Sequence, residues 1–361
     1  MKTTIAIIFG GKSAEHDISL NSASNIYNAI DTSKFDLVLL GIDRKGEWKY
    51  NPTYSPIHIN LSTNSYFNDA NAVLIDIVEG KTSIIEKKSG KVSATFDVAF
   101  SIIHGNTGED GTLQGFFKFL NIPFVGPDVL GSAVCMDKDI TKRLLRDAQI
   151  PIADFICLKK TDKAKVSYEE AKEKLGLPLF VKPSNAGSSV GVSKVTDKSS
   201  FESAIETAFK FDNKILIEEA IIGKEVECAI LGNEDPKPSI IGEIVPTKDF
   251  YSYEAKYEDA EGAKMKIPAD IPTEVSNELR DTAVKAFIAT ACEGLARVDF
   301  FLKEDNTYVL NEINTLPGFT EISMYPKLWE QTGIFYSDLI TKLIELALER
   351  WKRDGGLLTV K

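Results

Sequence analysis

Apolar positions in the first third of the chain alternate between strand-like runs and helix-like spacing. Three continuous apolar runs predict buried strands, at residues 4–9, 35–42 and 96–103. Helical spacing predicts one helix after the first run and another after Gly111. Strands that alternate with helices favour a mostly parallel sheet, which binds ligands beyond the carboxyl ends of its strands. Gly-rich segments follow two such ends, at residues 10–13 and 105–111.

The remaining two thirds of the chain predict further units that combine helices with strands. Asp137 is a predicted N-cap for a helix at about 138–149, and Ser167–Glu170 and Ser199–Glu202 have the spacing of capping boxes. Strands are predicted at 179–183, 190–195, 225–231 and 239–245, and a long helix at about 274–292. Residues 246–268, between the last of these strands and the long helix, have no regular pattern and are rich in aromatic residues. This indicates a functional lid rather than a linker.

Composition narrows the class of protein. The chain has 361 residues, 43% hydrophobic and 26% charged, so it is globular and long enough for two or three domains. Its net charge of -11, with no basic run, argues against a nucleic-acid partner. The four cysteines are far apart and form no C-x-x-C pair, as expected in a reducing cytosol. We find neither a signal peptide nor a membrane span, and we expect a cytoplasmic protein with no membrane partner.

The segment at residues 294–318 carries the most specific chemistry. A turn centred on Asp305 and Asn306 would make a hairpin in which Asp299 faces Glu312 and Arg297 faces Asn314. Two carboxylates this close repel each other unless a cation lies between them. Two carboxylates and an amide oxygen suit Mg²⁺, which keeps water and substrate phosphates as its other ligands. Apolar neighbours argue against the alternative, a solvated strand face with a surface salt bridge.

A second candidate is the loop of small residues at 183–191, which follows Lys182. Such a loop can surround a phosphate with backbone N–H groups, although an ordinary Gly/Ser hairpin has a similar composition. Residues 187–191 also match G-x-S-x-G, which would make Ser189 a hydrolase nucleophile. We set this alternative aside because every histidine precedes Ser189 and a predicted strand, not a helix, follows it.

A third cluster surrounds His104, in the Gly-rich segment after the third predicted strand. His16 lies in the other Gly-rich segment, beside Glu15. Two of the three histidines are therefore predicted at strand ends, which favours a shared cleft over purely structural roles.

At these motifs the chain resembles the D-alanine–D-alanine ligases, which are ATP-grasp enzymes. The similarity runs in order from residue 3 to about 330, and its motifs include residues 10–16, 104–114, 182–195, 254–257, 296–299 and 312–318. It implies α/β and α+β architecture: a Rossmann-like N-terminal domain at 1–132 followed by two ATP-grasp α+β domains, at 133–219 and 220–361, with a lid at 246–268. It also implies ATP and D-alanine as substrates, two Mg²⁺ (or Mn²⁺) ions, a homodimer and a product used for peptidoglycan.

The resemblance further implies a role for each matching residue. Asp299, Glu312 and Asn314 would hold the metal ions. Lys138, Lys182 and Lys256 would contact ATP phosphates, Glu218 the adenine and Glu225 the ribose. Glu15 would bind the ammonium of the first D-alanine, linked to Ser188 and Tyr257, with His104 nearby. Arg297 and the N–H of Gly318 would stabilise the tetrahedral intermediate, and Ser323 and Met324 would line the second D-alanine site.

Two alternatives stay open. One is a D-alanine–D-lactate or D-alanine–D-serine ligase, and the other is a non-catalytic ATP-binding module, against which the intact Asp299, Glu312, Asn314 and Arg297 argue. Ser252, in the predicted lid, departs from the family, which more often has Asp there.

Overall fold

The computed structural model describes residues 2–54, 60–61, 65–187, 189–246, 263–320 and 322–357. Within these ranges the strands form three sheets, of seven, four and five strands in chain order. No helix in the described ranges combines the length and apolarity needed to cross a membrane.

The first sheet is less parallel than the sequence predicts. Its strands are β1 (Thr3–Gly10), β2 (Phe35–Ile42), β3 (Trp48–Tyr50), β4 (Asn71–Val78), β5 (Lys81–Glu86), β6 (Val92–Phe96) and β7 (Val98–Ser101). Their order is β6-β5-β4-β3-β2-β1-β7, and β1 is parallel to both β2 and β7. The prediction of a mostly parallel sheet is wrong, because β3 to β6 add antiparallel strands at the far edge. Except for residues 51–70 between β3 and β4, the connections are short, which permits antiparallel pairing, whereas parallel strands need long crossovers.

Helices cover both faces of this sheet and lead out of it. They are α1 (His16–Ala29), α2 (Ser65–Asn68), α3 (Thr112–Phe119) and α4 (Val129–Met136). The predicted strand at 96–103 is shorter than expected, since β7 ends at Ser101 and β6 occupies residue 96. The chain therefore leaves the sheet just before His104, so the Gly-rich segment lies beyond a parallel strand end as predicted.

The second sheet is antiparallel, in the order β10-β9-β11-β8. Its elements are α5 (Lys138–Asp147), β8 (Phe155–Lys159), a 3-10 helix (Lys160–Lys165), α6 (Tyr168–Leu175), β9 (Leu179–Pro183), β10 (Ser193–Val195), α7 (Lys198–Ala208) and β11 (Lys214–Glu219). The capping boxes have mixed outcomes. Ser167 and Glu170 cap α6 reciprocally, which confirms the prediction. The pair at 199 and 202 is wrong, because Asp197 and Ser200 cap α7. The predicted strand at 190–195 is also wrong in extent, since β10 begins at Ser193.

The third sheet is antiparallel, in the order β14-β13-β12-β15-β16. Its elements are β12 (Lys224–Gly232), β13 (Lys237–Pro246), β14 (Ala263–Lys266), α8 (Thr273–Ala289), β15 (Gly294–Leu302) and β16 (Tyr308–Asn314). Strand β14 corrects the prediction that all of 246–268 is irregular. The other residues of that stretch up to 262 lie outside the described residues. Two further helices, α9 (Met324–Thr332) and α10 (Tyr336–Gly355), complete the chain.

Helix α10 joins the first and third sheets into one core. Its residues Leu339, Ile340 and Leu343 pack in a single cluster with Ile7 of β1 and Leu295 of β15. This packing fixes the distance between the loops that leave the two sheets. Those loops carry the candidate residues Glu15, His104 and Gly318.

A buried arginine anchors the end of α10. Arg350 is 4% exposed and donates to the carbonyl oxygens of Phe124 and Gly126. Its guanidinium also lies 4.5 Å from the ring centroid of Phe124. Gly126 in turn lies against Leu295 and Leu316, so Arg350 holds the segment on which the first and third sheets meet.

We predict that Arg350→Met lowers the thermal unfolding temperature. The change leaves two buried carbonyl oxygens without their donors, at a cost of about 2–4 kcal/mol. Arg353→Met, three residues along the same helix, removes a partly exposed ion pair with Glu293 and costs less than about 1 kcal/mol. Equal effects of the two substitutions, measured by thermal denaturation, would contradict the anchoring role of Arg350.

Candidate active site

The hairpin of β15 and β16 has the predicted register at its functional end. Asp299 faces Glu312 and Arg297 faces Asn314, as expected. A bulge lies between this end and the turn, because Phe300 pairs with Leu310 and not with residue 311. The pairs next to the turn are therefore centred half a residue earlier along the chain than predicted. The extra residue of the bulge restores the predicted pairing of Asp299 with Glu312.

Strand β12 extends this arrangement by one residue that the sequence prediction did not include. Glu227 faces Asp299 from the other side, so three carboxylates lie side by side across β12, β15 and β16. Facing residues on neighbouring strands are about 5 Å apart, and like charges at that distance repel. The signal was present in the sequence: Glu225 and Glu227 alternate with apolar residues and must share a strand face.

Arg297 neutralises two members of this row. Its Nε and Nη2 donate to the two oxygens of Asp299, at 2.8 and 2.7 Å. Nε also lies 2.9 Å from Oε2 of Glu227. Burial alone would lower the pKa of Arg297, but Asp299 and Glu227 outweigh it and raise the pKa well above the ordinary value. Asn314 adds a hydrogen bond of 2.8 Å from Nδ2 to Asp299, which leaves its amide oxygen available as an acceptor.

The row lies at one side of a cleft between the second and third sheets. The cleft has a cavity volume of about 480 Å³. It brings together predicted residues from both sheets, namely Lys138, Lys182, Glu218, Glu225, Asp299 and Glu312. Lys138 lies 3.9 Å from Glu312 and donates to the carbonyl oxygen of Ala186 at 2.6 Å. Burial lowers the pKa of Lys138, and Glu312 opposes that shift.

The N-terminus of α5 positions Lys138. The side chain of Asp137 caps the helix, as predicted, by accepting from Ile140 N. Lys214 of β11 and Ser184 of the small-residue loop both donate to the Asp137 carboxylate. The backbone N–H of Lys138 donates to Ser184 O at 3.0 Å. Asp137 thus links the helix and the loop to the second sheet. The sequence predicted its role as an N-cap but not these further contacts.

Glu218 holds two lysines at the base of the cleft. Lys182 Nζ lies 2.8 Å from Oε1 and Lys142 Nζ lies 2.9 Å from Oε2. Lys182 and Glu218 are diagonal neighbours on one face of β9 and β11, which explains the first contact. Burial alone would raise the pKa of Glu218, but the two ammonium groups outweigh it and lower the pKa. The sequence prediction missed Lys142, although it lies four residues after Lys138 on the same helix face.

Glu15 lies where loops of the first and second sheets meet. It is 8% exposed and precedes α1. A β-carbon placed on Gly105 would lie 3.1 Å from Glu15 Oε2, and one placed on Gly187 would lie 3.9 Å from it. The carboxylate is therefore between the Gly-rich segment after β7 and the small-residue loop. This approach requires glycine at residue 105, whose φ is also positive.

The two histidines predicted to share a cleft have different surroundings. His104 is buried, and its Nδ1 lies 3.1 Å from Leu316 O, in the segment after β16. Burial lowers the pKa of His104, and Glu15 opposes that shift. His16 instead bonds Gly11 O at 2.8 Å and packs against the Phe67 ring. The two histidines therefore have different partners, and the substrate role of His104 stays a prediction.

Glu109 connects the same two loops and was not predicted. Its carboxylate accepts from the backbone N–H of Gly105 at 2.5 Å and from that of Leu316 at 3.1 Å. Burial, reinforced by the charge of Glu15, raises the pKa of Glu109 to about 8. The motif Gly108-Glu109-Asp110-Gly111 was visible in the sequence, but its polar residues gave no sign of a buried carboxyl group.

The last predicted residues lie after β16. A β-carbon on Gly318 would lie 2.9 Å from Ser323 Oγ, so the two residues are in close contact. Ser323 Oγ accepts from Thr320 N at 2.9 Å and precedes α9. The Met324 side chain is 3% exposed and packs against Gly242 in the core, so only its backbone can face a ligand. Ser188, Lys256 and Tyr257, together with Ser252, lie outside the described residues.

The donor set of the hairpin fits magnesium if a substrate completes it. No group of three or more His, Cys, Asp or Glu in the described ranges is arranged to hold a metal ion. Asp299 and Glu312 supply two carboxylates, and Asn314 supplies an amide oxygen. Mg²⁺ is commonly bound by one or two carboxylates together with water and substrate phosphates. The oxygen chemistry therefore fits the predicted ion in the presence of a phosphate ligand.

Known proteins resemble this chain over its whole length. Family models described as the D-ala D-ala ligase N-terminus and C-terminus match residues 4–127 and 144–345. The D-alanine--D-alanine ligase A of Escherichia coli (strain K12) is 51% identical over 369 residues, with 99% of each chain covered.

Solved structures show the same similarity. The D-alanine-D-alanine ligase from Coxiella burnetii has a TM-score of 0.86 and 36% identity, covering 98% of this chain and 96% of its own. The VanG D-Ala:D-Ser ligase from Enterococcus faecalis has the same TM-score and identity, with 96% and 100% covered. The D-alanine--D-alanine ligase from Bacillus anthracis complexed with ATP has a TM-score of 0.73 and 29% identity, with 98% and 100% covered.

The three sheets, and the charged cleft between the second and third, define an ATP-grasp ligase fold. The predicted fold class, Rossmann-like followed by two ATP-grasp α+β units, is confirmed. The chain belongs to the D-alanine–D-alanine ligase family.

Glu109 predicts a pH dependence of stability. Its pKa of about 8 lies above the ordinary 4.5, so the folded state favours the protonated group. The stability this confers is complete below pH 4.5 and is lost as pH rises through 8. Between pH 6 and pH 9 the loss is about 3 kcal/mol, at about 1.4 kcal/mol per pKa unit.

Glu109→Gln carries a group that does not ionise, so its unfolding temperature should fall less than that of the wild type between pH 6 and pH 9. Thermal denaturation across this range provides the measurement. Parallel curves for the two proteins would show that Glu109 is ionised in the folded state throughout.

Proposed function

We propose that this protein is a D-alanine–D-alanine ligase that joins two D-alanines, using ATP, through an acyl phosphate intermediate. One observation carries the proposal: Asp299 and Glu312 face each other across the hairpin, with Arg297 and Lys138 beside them, in a chain of this family. ADP and phosphate would be the other products. The dipeptide would serve as a precursor of peptidoglycan.

The first step is phosphoryl transfer to the carboxylate of the first D-alanine. The carboxylate oxygen attacks the γ-phosphorus in line, and ADP leaves. Negative charge spreads over the phosphoryl oxygens, and Lys138, Lys182 and Lys256 are assigned to neutralise it. Asp299, Glu312 and Asn314 would hold two Mg²⁺ ions, or Mn²⁺, which supply further positive charge to the phosphates when bound. Glu218 and Glu225 are assigned to the adenine and ribose.

Substrate orientation falls to the loops at the first sheet. Glu15 is assigned to the ammonium group of the first D-alanine, in a network with Ser188 and Tyr257. His104 lies beside that site. The contact of Glu15 with both neighbouring loops supports this assignment, since a bound ammonium would then be enclosed on two sides.

The second step is attack of the second amine on the acyl carbon of the acyl phosphate, which forms the C–N bond, breaks the C–O bond to release phosphate, and loses a proton from nitrogen. Its tetrahedral intermediate carries an oxyanion, which a guanidinium and a backbone N–H stabilise if they are placed beforehand. We assign Arg297 and the N–H of Gly318 to this task. The contacts of Arg297 with Asp299 and Glu227 use Nε and Nη2, and the N–H groups of Nη1 are the donors assigned to the oxyanion. Ser323 and Met324 are assigned to the second substrate.

Water must be excluded while the acyl phosphate exists, because it hydrolyses readily. The stretch 246–268 is the proposed lid. Within this stretch, Pro246 of β13 and Ala263 of β14 pair with each other at the edge of the third sheet. Since Val245 and Ile244 of the same strand line the cleft, a segment that leaves this strand end is suitably placed to cover it.

The remaining expectations belong to the same proposal. We propose domain boundaries after residues 132 and 219. We also propose that the protein is a homodimer and is cytoplasmic. The similarity to a D-Ala:D-Ser ligase keeps D-serine as a second candidate for the second substrate. D-lactate is the remaining candidate.

Product analysis tests the function directly. The protein with ATP, Mg²⁺ and D-alanine alone should release phosphate and form D-alanyl-D-alanine in equal amounts. With equimolar D-serine or D-lactate added, the dipeptide should stay the main product. Tyr257→Phe is the matched variant, and it should raise the share of D-alanyl-D-lactate at mildly acidic pH. Phosphate release without any dipeptide would contradict the proposal, and a predominant mixed product would favour one of the alternatives.

Glu312→Gln should reduce turnover by about a hundredfold or more, since a lost electrostatic contact to the transferring group commonly costs this much. The amide weakens cation binding while it preserves the shape of the side chain. Glu304→Gln, in the exposed turn of the same hairpin, is the control and should be fully active. Steady-state rates over a Mg²⁺ titration would decide the matter, and near-normal activity of Glu312→Gln at saturating Mg²⁺ would overturn the metal assignment.

A further inference from the structure

A buried ammonium group lies behind the cleft. Lys142 of α5 has a side chain that is 1% exposed, and it holds one oxygen of Glu218. Lys182 holds the other oxygen and lines the cleft. One carboxylate therefore carries two cations, one at the cleft wall and one beneath it. A single counter-ion would satisfy the charge of Glu218, so the second lysine calls for an explanation.

We propose that Lys142 is a positioning residue, the permanent counter-ion of Glu218 that frees Lys182 to bind the phosphates of the nucleotide. The inference rests on the proposed function, because it takes an ATP phosphate as the ligand of Lys182. Lys142 itself touches neither nucleotide nor amino acid in this account.

Lys182 must leave Glu218 when it turns towards a phosphate. A buried carboxylate that loses its only cation pays a large desolvation penalty. With Lys142 in place, Glu218 keeps an ion pair of 2.9 Å after Lys182 has left. Lys142 cannot follow Lys182, since it is enclosed and lies 5.7 Å from the ring centroid of Phe155. The movement of Lys182 therefore costs little.

The other charges near Glu218 do not substitute for Lys142. The charge of Glu218 also attracts Lys138 of α5. The charge of Glu219, the next residue on β11, attracts Lys142. Lys138 lines the cleft, as Lys182 does, so both are available to a nucleotide. Within the described ranges, the lysines that interact electrostatically with Glu218 are Lys138, Lys142 and Lys182. Of these three, Lys142 is the one that does not line the cleft.

Removal of Lys142 should couple nucleotide binding to a proton. In Lys142→Met, Lys182 becomes the remaining ion-pair partner of Glu218. When a phosphate attracts Lys182, the buried carboxylate of Glu218 is left without a cation and takes up a proton, because burial favours the neutral form. The variant should therefore bind nucleotide more tightly as pH falls, with Kd approaching a tenfold decrease per pH unit when a whole proton is taken up. The wild type keeps Glu218 ionised in both states and gains no such proton.

The experiment is calorimetric titration of the full chain with the non-hydrolysable analogue AMP-PNP and Mg²⁺. Titrations in buffers of different ionisation enthalpy give the number of protons taken up. We expect Lys142→Met to take up as much as one proton more than the wild type, and Lys142→Gln, a second neutral variant, to do the same. A role in packing alone would change the unfolding temperature without changing proton uptake.

Two controls isolate the interaction. Arg146→Met removes an exposed cation from the same helix and should leave proton uptake at the wild-type value. In a Glu218→Gln background, Lys142→Met should have no further effect on proton uptake, since the titrating group is gone.

The outcomes separate the two proposals. If the wild type binds AMP-PNP and both folded Lys142 variants show no additional proton, the role of Lys142 is wrong and the proposed function stands. If the wild type does not bind the nucleotide, the proposed function fails, and the role of Lys142 fails with it.

Discussion

The site depends on holding three carboxylates side by side across the third sheet. Glu227, Asp299 and Glu312 face one another in adjacent strands, and their repulsion must be offset by positive charge. Arg297 supplies that charge between Glu227 and Asp299, and Lys138 lies near Glu312. The row of three carboxylates therefore attracts cations strongly. We propose that magnesium and the nucleotide satisfy this preference together.

The three sheets have distinct tasks around this row of carboxylates. The third sheet presents the acids, and the second presents lysines from β9 and α5 across the cleft. The first sheet contributes loops that meet the others at Glu15 and at Glu109, whose carboxylate bonds both Gly105 and Leu316. Helix α10 keeps the first and third sheets together, so these loops remain close to the hairpin. A ligase that must protect a labile intermediate benefits from such enclosure.

Sequence alone predicted the features that follow from local periodicity. The facing of Asp299 with Glu312 follows from the two-residue period of strands and the position of a turn, and it is correct even though a bulge shifts the outer pairs. The family motifs supplied the proposed roles of residues that periodicity cannot assign, such as Glu15 and Lys182.

The errors have several origins. The sequence prediction missed the two-residue turn Glu79-Gly80, which joins β4 and β5 as antiparallel strands, so the first sheet was expected to be mostly parallel. Asp197 takes the cap of α7 because its side chain accepts from Ser200 N, a choice that depends on where the strand before it ends. Lys142 and Glu109 have the sequence pattern of ordinary charged residues, because only the fold shows that Lys142 is buried and that Glu109 bonds two backbone N–H groups.

The central claim is that the hairpin face holds divalent cations in partnership with a nucleotide. Binding of Mn²⁺, counted from the electron paramagnetic resonance signal of the free ion, tests it without reference to turnover. In the presence of saturating AMP-PNP, the wild type should bind two Mn²⁺ per chain, and Asp299→Asn should bind fewer or bind them more weakly. Equal numbers and affinities in the two proteins would contradict the account.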